Sequence, residues 1–367
     1  MSEAYHRLIK YLFDYSPPSD LQWLVERIRS SRRVIAFGTG RSGYVSEVIV
    51  RFLRNLGFDY SYGPYDIPYI FEASDLAIAY SGSGETLYTL DIARAAKRGG
   101  AYLVSITGRG ESPLSLISDR IVLIPGAAPK GPDYFGSQIA GTSWAPLTPL
   151  GTLFELRSLI FSLSLIRMIK GSDFNESFLA IKKGLSDYSP DDKHYPEIYS
   201  MIPISKGGCG MNKTVIIGEG MSGIVGKFFA TRLRHCSKPG MERIVSFWTD
   251  SGTVSVRAGD LVLIISGSGS SISSGLARIA REKGAEVVSI TSFPESELAR
   301  LSSYVVNIPG RVIMSLKGLR SSYYPEDPIY SIFELRTLCF LETLIYYIAS
   351  RDGITEMDMK SMHSDFT

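Results

Sequence analysis

One short pattern occurs twice in this chain: an apolar strand runs into a serine-glycine loop, and the loop runs straight into a helix. In the first copy, residues 76–79 (Leu-Ala-Ile-Ala) lead into Tyr80-Ser81-Gly82-Ser83-Gly84-Glu85-Thr86. Leu87, Leu90, Ile92, Ala93 and Ala96 follow at helical spacing. In the second, residues 261–265 lead into Ser266-Gly267-Ser268-Gly269-Ser270-Ser271 and a helix-like run over 272–283, at an offset of 185 (266 − 81). Three further blocks recur in the same order. Gly38-Thr39-Gly40-Arg41-Ser42-Gly43 matches Gly218-Glu219-Gly220-Met221-Ser222-Gly223, Ile124-Pro125-Gly126 matches Ile308-Pro309-Gly310, and Leu153-Phe154-Glu155-Leu156-Arg157 matches Ile332-Phe333-Glu334-Leu335-Arg336. A period this long excludes a solenoid and means a duplicated domain.

The repeated loop has a chemistry of its own. Glycines bare the backbone N–H groups, Ser and Thr hydroxyls add donors, and the helix behind contributes the positive end of its dipole, so an anion such as phosphate fits. Taken singly, such a loop also reads as a serine-glycine turn with a Ser or Thr cap. The Gly-x-Gly loop at residues 38–43 superficially matches a dinucleotide fingerprint, but no acidic residue closes the next strand, expected over 58–62. Arg41 and Ser42 therefore read as anion contacts, or as a solvated charge and an N-cap.

Strands are expected over 34–37, 58–62, 76–79, 101–106 and 121–124 in the first half, and over 214–217, 244–247, 261–265, 286–291 and 304–308 in the second, with helices between them. Such alternation predicts an α/β fold: a parallel sheet covered on both faces in each half, with ligands at the carboxyl ends of the strands. Both loops lie at such ends. The Gly-, Pro- and Ser-rich stretch 127–144 reads as a loop or flap, and a long amphipathic helix is expected over 150–168, repeated over 329–350. Each carries a glutamate near its start, Glu155 and Glu334; the choices there are a dipole partner or a general base. The polar stretch 171–206 is expected to link two domains, 1–185 and 186–367.

Thirty-nine basic and 37 acidic residues give a net charge of +2, and the basic residues are scattered, so no nucleic-acid-binding field is expected. Cys209, Cys236 and Cys339 are too few and too widely spaced for a disulfide framework or a zinc site. No apolar run reaches membrane-spanning length and residues 1–15 do not resemble a signal peptide, so a cytoplasmic protein without membrane contact is expected.

The 38–43 and 81–86 loops, with the Glu155 helix, resemble the sugar isomerase (SIS) domain, and the whole chain is similar to two of them in tandem. Within that superfamily the two loops, residues 148–155 and the tail around His363 resemble 6-phospho-3-hexuloisomerase. The resemblance implies a flavodoxin-like parallel sheet in each half and isomerisation of 3-hexulose 6-phosphate to fructose 6-phosphate through an enediol(ate). The neighbouring alternatives are phosphoglucose/phosphomannose isomerase and a non-catalytic phosphosugar-binding regulator. It further implies that Gly40, Arg41, Ser42, Ser81, Ser83 and Thr86 hold the sugar phosphate, with Ser222, Ser266, Ser268 and Ser271 as their second-half counterparts. Glu155 or Glu334 would move the proton and His363 would assist at the oxygens. No metal or organic cofactor is expected. Family members of one domain assemble as oligomers, so a homodimer of this chain, four SIS domains in all, is expected.

Overall fold

The computed structural model describes residues 1–68, 70–126, 152–204, 212–250, 255–311, 315–316, 319–320 and 332–362. It divides into two compact units, one holding the described residues of Lys10–Lys183, the other Met1–Ile9 with the described residues from Gly184 to Met362.

The first unit is built on β1 (Arg33–Gly38), β2 (Ser61–Tyr62), β3 (Asp75–Ser81), β4 (Tyr102–Thr107) and β5 (Arg120–Leu123). They form one sheet in the order β2-β1-β3-β4-β5, every pairing parallel. This is the doubly wound order whose ligand crevice opens where the strand order reverses, between β1 and β3. The sheet is covered by α3 (Arg41–Asn55), α4 (Leu87–Arg98) and α6 (Thr152–Ile169), with α2 (Gln22–Ser30) and the short α5 (Pro113–Ile117) beside them. Every residue of β3 is buried, as a central parallel strand requires. Ile35, Phe37, Ala77, Ala79 and Leu103 meet Leu90, Ala93 and Ala96 of α4 in a contiguous core. Helix α6, expected to be amphipathic, is instead buried on all sides from Thr152 to Ile166; its apolar residues lie all round, and Arg157, Ser162 and Ser164 satisfy their side chains on backbone carbonyls.

The second unit repeats this plan with β6 (Thr214–Gly218), β7 (Val245–Phe247), β8 (Leu261–Ile265), β9 (Glu286–Thr291) and β10 (Tyr304–Asn307), in the matching order β7-β6-β8-β9-β10 and again parallel. Its helices include α9 (Gly220–His235), α10 (Ser271–Glu282), the short α11 (Glu297–Arg300) and the long α12 (Ile332–Asp352). Its core joins Val215, Ile217, Val262, Ile264 and Val287 to Ala277, Ala280 and Leu298. No helix among the described residues is long and apolar enough to cross a membrane.

Two stretches differ from expectation. Residues 171–206, expected as a polar link, carry α7 (Phe174–Ser186) and α8 (His194–Met201). The N-terminus forms α1 (Ser2–Leu12), which buries Ala4, Tyr5, Leu8, Ile9 and Leu12.

Candidate active site

In the first unit the two glycine loops leave adjacent strands at their carboxyl ends, where Gly38 of β1 lies in register with Tyr80 of β3. The backbone approach there is close. A Cβ on Gly38 would sit 2.8 Å from the Tyr80 carbonyl oxygen and 2.9 Å from the Ser42 carbonyl carbon. Gly40 follows with φ 57°, and α3 begins at Arg41 with no side-chain cap on its first N–H groups. Arg41 and Ser42, the first residues of that helix, are buried.

The 81–86 loop is folded by its own hydroxyls. Ser81 Oγ accepts from the Gly84 N–H at 3.1 Å and Ser83 Oγ from the Glu85 N–H at 3.2 Å. Thr86 is the N-cap of α4, but its side chain makes no capping bond. The first turns of α3 and α4 therefore keep donors that a phosphate can take.

Helix α6 is pinned at its start by three contacts. Arg157 donates to the Pro125 carbonyl at 2.9 Å. A Cβ on Gly126 (φ 128°) would come within 2.8 Å of the Phe154 nitrogen, and the Phe154 ring lies so close to Gly82 that a Cβ there would meet it at 2.9 Å. These contacts set Glu155, in the first turn, beside the loops: Ser42 Oγ donates to Glu155 Oε1 at 3.4 Å. Arg41 Nη1 donates to Thr152 Oγ1, one turn before the carboxylate.

The second unit repeats the arrangement with one change of cation. Ser222 Oγ donates to Glu334 Oε1 at 3.2 Å, a Cβ on Gly267 would meet the Phe333 ring at 2.7 Å and one on Gly310 (φ 140°) the Phe333 nitrogen at 2.8 Å, and Arg336 donates to the Pro309 carbonyl at 2.6 Å. Met221 stands where the first copy has Arg41, and Arg311, just after β10, donates to Glu334 Oε1 at 3.3 Å. The Ser266 hydroxyl accepts from the Ser270 N–H, and Ser270 caps α10 through the Ser273 N–H. Ser268 is half-buried on the loop and Ser271 is the exposed first residue of α10. Burial pushes the Glu334 carboxyl above its ordinary value, and the Arg311 guanidinium pulls it part of the way back.

The structure thus brings Arg41, Ser42 and Glu155 together in one pocket and Ser222 and Glu334 in the other. Ser81, Ser83 and Thr86, like Ser266, Ser268 and Ser271, lie on the loops packed against these helix starts, and Gly40 is exposed at the rim. His363 lies outside the described residues. Thr152 lies in the 148–155 stretch that carries the family resemblance but was given no role there. Arg311 escaped the sequence reading; it has no counterpart in the first copy, where the matching Ile-Pro-Gly is followed by Ala127. Among the described residues no three His, Cys, Asp or Glu side chains are grouped to hold a metal ion.

Residues 27–143 and 211–324 match the SIS domain family, and the chain belongs to it. A 3-hexulose-6-phosphate isomerase of Methylomonas aminofaciens is 34% identical over 154 residues, 42% of this chain and 80% of that protein. Its Bacillus subtilis namesake is 32% identical over 148 residues, 40% of this chain and 75% of that protein. Among solved structures, tagatose-6-phosphate ketose/aldose isomerase of Escherichia coli superposes with a TM-score of 0.58 at 14% identity, over 94% of this chain and 90% of its own. The fold is therefore that of tandem SIS proteins along nearly the whole chain.

Proposed function

We propose that this protein is a sugar-phosphate isomerase that interconverts 3-hexulose 6-phosphate and fructose 6-phosphate. The observation that carries the reading is the Glu155 carboxylate, held by Ser42 at the edge of the phosphate-type loops on an SIS fold. The names of the relatives support the choice of sugar.

In this reading the N–H groups and hydroxyls of the 38–43 and 81–86 loops hold the phosphate, so that binding energy remote from the reacting carbons positions the sugar. Glu155 removes the proton from C2, next to the C3 carbonyl, which leaves a 2,3-enediolate. A proton passes between the two oxygens, with His363 assisting, and Glu155 returns its proton to C3, so that the carbonyl ends at C2. Loop donors and the Arg41 guanidinium offset the charge of the enediolate, and the chemistry calls for no cofactor. Both pockets bind phosphosugar, and the first is the better catalyst. The protein works in the cytoplasm as a homodimer of chains, each with two SIS domains.

The test is turnover of arabino-3-hexulose 6-phosphate, then of fructose, glucose and mannose 6-phosphates, by wild type and by the Glu155→Gln, Glu334→Gln double variant. We expect hexulose turnover that falls by about 10²- to 10⁴-fold in the double variant, the contribution of one general base. Turnover of the aldose phosphates alone would move the assignment to the phosphoglucose/phosphomannose isomerases. Thermal stabilisation by phosphosugars without any turnover would make the chain a binding protein. Undiminished activity in the double variant would remove the glutamates from the mechanism.

A further inference from the structure

The two copies differ most sharply in where the cation of the pocket comes from. At the start of α9 the arginine is gone and Met221 is buried in its place. At the far end of the sheet an arginine has appeared, and a residue to hold it has appeared with it. The Arg311 N–H donates to Ser292 Oγ at 3.1 Å, and Ser292 in turn donates to the Ile308 carbonyl at 2.7 Å. The first copy has Gly108 and Ala127 at these two places, so neither the guanidinium nor its backbone anchor is inherited from the shared plan. The Arg311 side chain is only 6% exposed and points at Glu334, itself buried.

We propose that Arg311 is the positioning residue of the second pocket: with Ser222 it ties down Oε1 of Glu334 and so presents Oε2 as the atom that takes the substrate proton. The proposal rests on the isomerase reading above. Ser222 and Arg311 converge on Oε1, at 3.2 Å and 3.3 Å, while the buried Oε2 has no hydrogen-bond partner among the described residues. A carboxylate held this way cannot swing, and its two oxygens differ in proton affinity, because the one beside a guanidinium is the poorer acceptor. The groups that bear on the charge are the Ser222 hydroxyl on α9, Arg311 after β10 and the backbone of α12's own first turn; Arg311 is the charged one among the described residues. Burial drives the carboxyl towards the protonated form, in which it cannot act as a base, and Arg311 opposes that drive.

The experiment uses the full chain carrying Glu155→Gln, so that the remaining hexulose phosphate turnover comes from the second pocket. Arg311→Met in that background should move the acid limb of the kcat profile upward by about one pH unit or more, the effect of losing a neighbouring arginine. On that limb kcat should fall by about tenfold for every pH unit the limb moves, with KM changed much less. Arg311→Lys should bring the acid limb back while leaving kcat below the background, because one ammonium cannot reproduce the planar guanidinium. If Arg311→Met does not fold, as judged by its circular dichroism and melting curve, the lysine variant and Arg311→Gln are compared instead. An unchanged pH profile in a folded charge-removing variant overturns the proposal. So does a Glu155→Gln chain with no turnover above that of the double glutamine variant, an outcome that leaves the isomerase reading standing on the first pocket. Absence of turnover in the wild type would fell both.

Discussion

Gly84 and Gly269 show how little freedom the two serine-glycine loops leave to their residues. Their φ angles are 66° and 59°, and a Cβ would meet Ser112 Oγ at 2.1 Å in the first loop and Ser296 Oγ at 2.6 Å in the second. Both serines cap the short helix that follows the next strand, so a side chain in the loop must also displace a cap. Gly84→Ala should cost about 1–3 kcal/mol of stability from the backbone alone and should weaken phosphosugar binding, to be measured by denaturant unfolding and by calorimetric titration. At this scale the sequence was informative where chemistry is local. The serines, the glycines and Glu155 are read directly because each loop is a contiguous stretch. Arg311 was not, because its contact with Glu334 depends on where a helix start and a strand exit meet in space.

The helices that face each other behind the pockets carry the next contrast. In the first unit Phe52 of α3 and Leu163 of α6 are buried; the matching residues of the second unit are Arg232 of α9 and Glu342 of α12, an ion pair at 3.1 Å with side chains 0% and 2% exposed. Nη1 and Nη2 of Arg232 have no hydrogen-bond partner among the described residues, so the desolvation of this cation is only partly compensated. Glu342→Ala should therefore destabilise the protein by about 3–5 kcal/mol, since it leaves a buried charge alone. The pair Arg232→Phe with Glu342→Leu, which imports the first copy's residues, should be close to neutral or stabilising. Chemical denaturation of the three variants checks both statements. Strand and helix order within the sheets was legible because buried parallel strands are plain apolar runs. Helices α1 and α7 were missed for a physical reason: they bury one stripe only. Phe174, Phe178, Ile181 and Leu185 keep a helical spacing, but the charged residues between them make the stretch look like a linker.

Across the whole molecule the plan is one strand-loop-helix arrangement built twice on one chain, and in the proposed reading each copy takes a phosphate. Titration with a phosphorylated hexulose should give two sites per chain. Ser81→Ala with Ser83→Ala should weaken one of them by about a hundredfold or more, as expected for lost hydrogen bonds to a charged group, and Ser266→Ala with Ser268→Ala should weaken the other. A single site in the wild type would contradict the duplication as a functional statement. The exchange of Arg41 for Met221, and of Ala127 for Arg311, has a further consequence for how such a chain can change. In a ring of identical subunits every substitution appears in all active centres at once, so a trial that damages catalysis damages it everywhere. Fusing two copies removes that constraint: one pocket can keep the ancestral activity while its neighbour tries a new arrangement of charge.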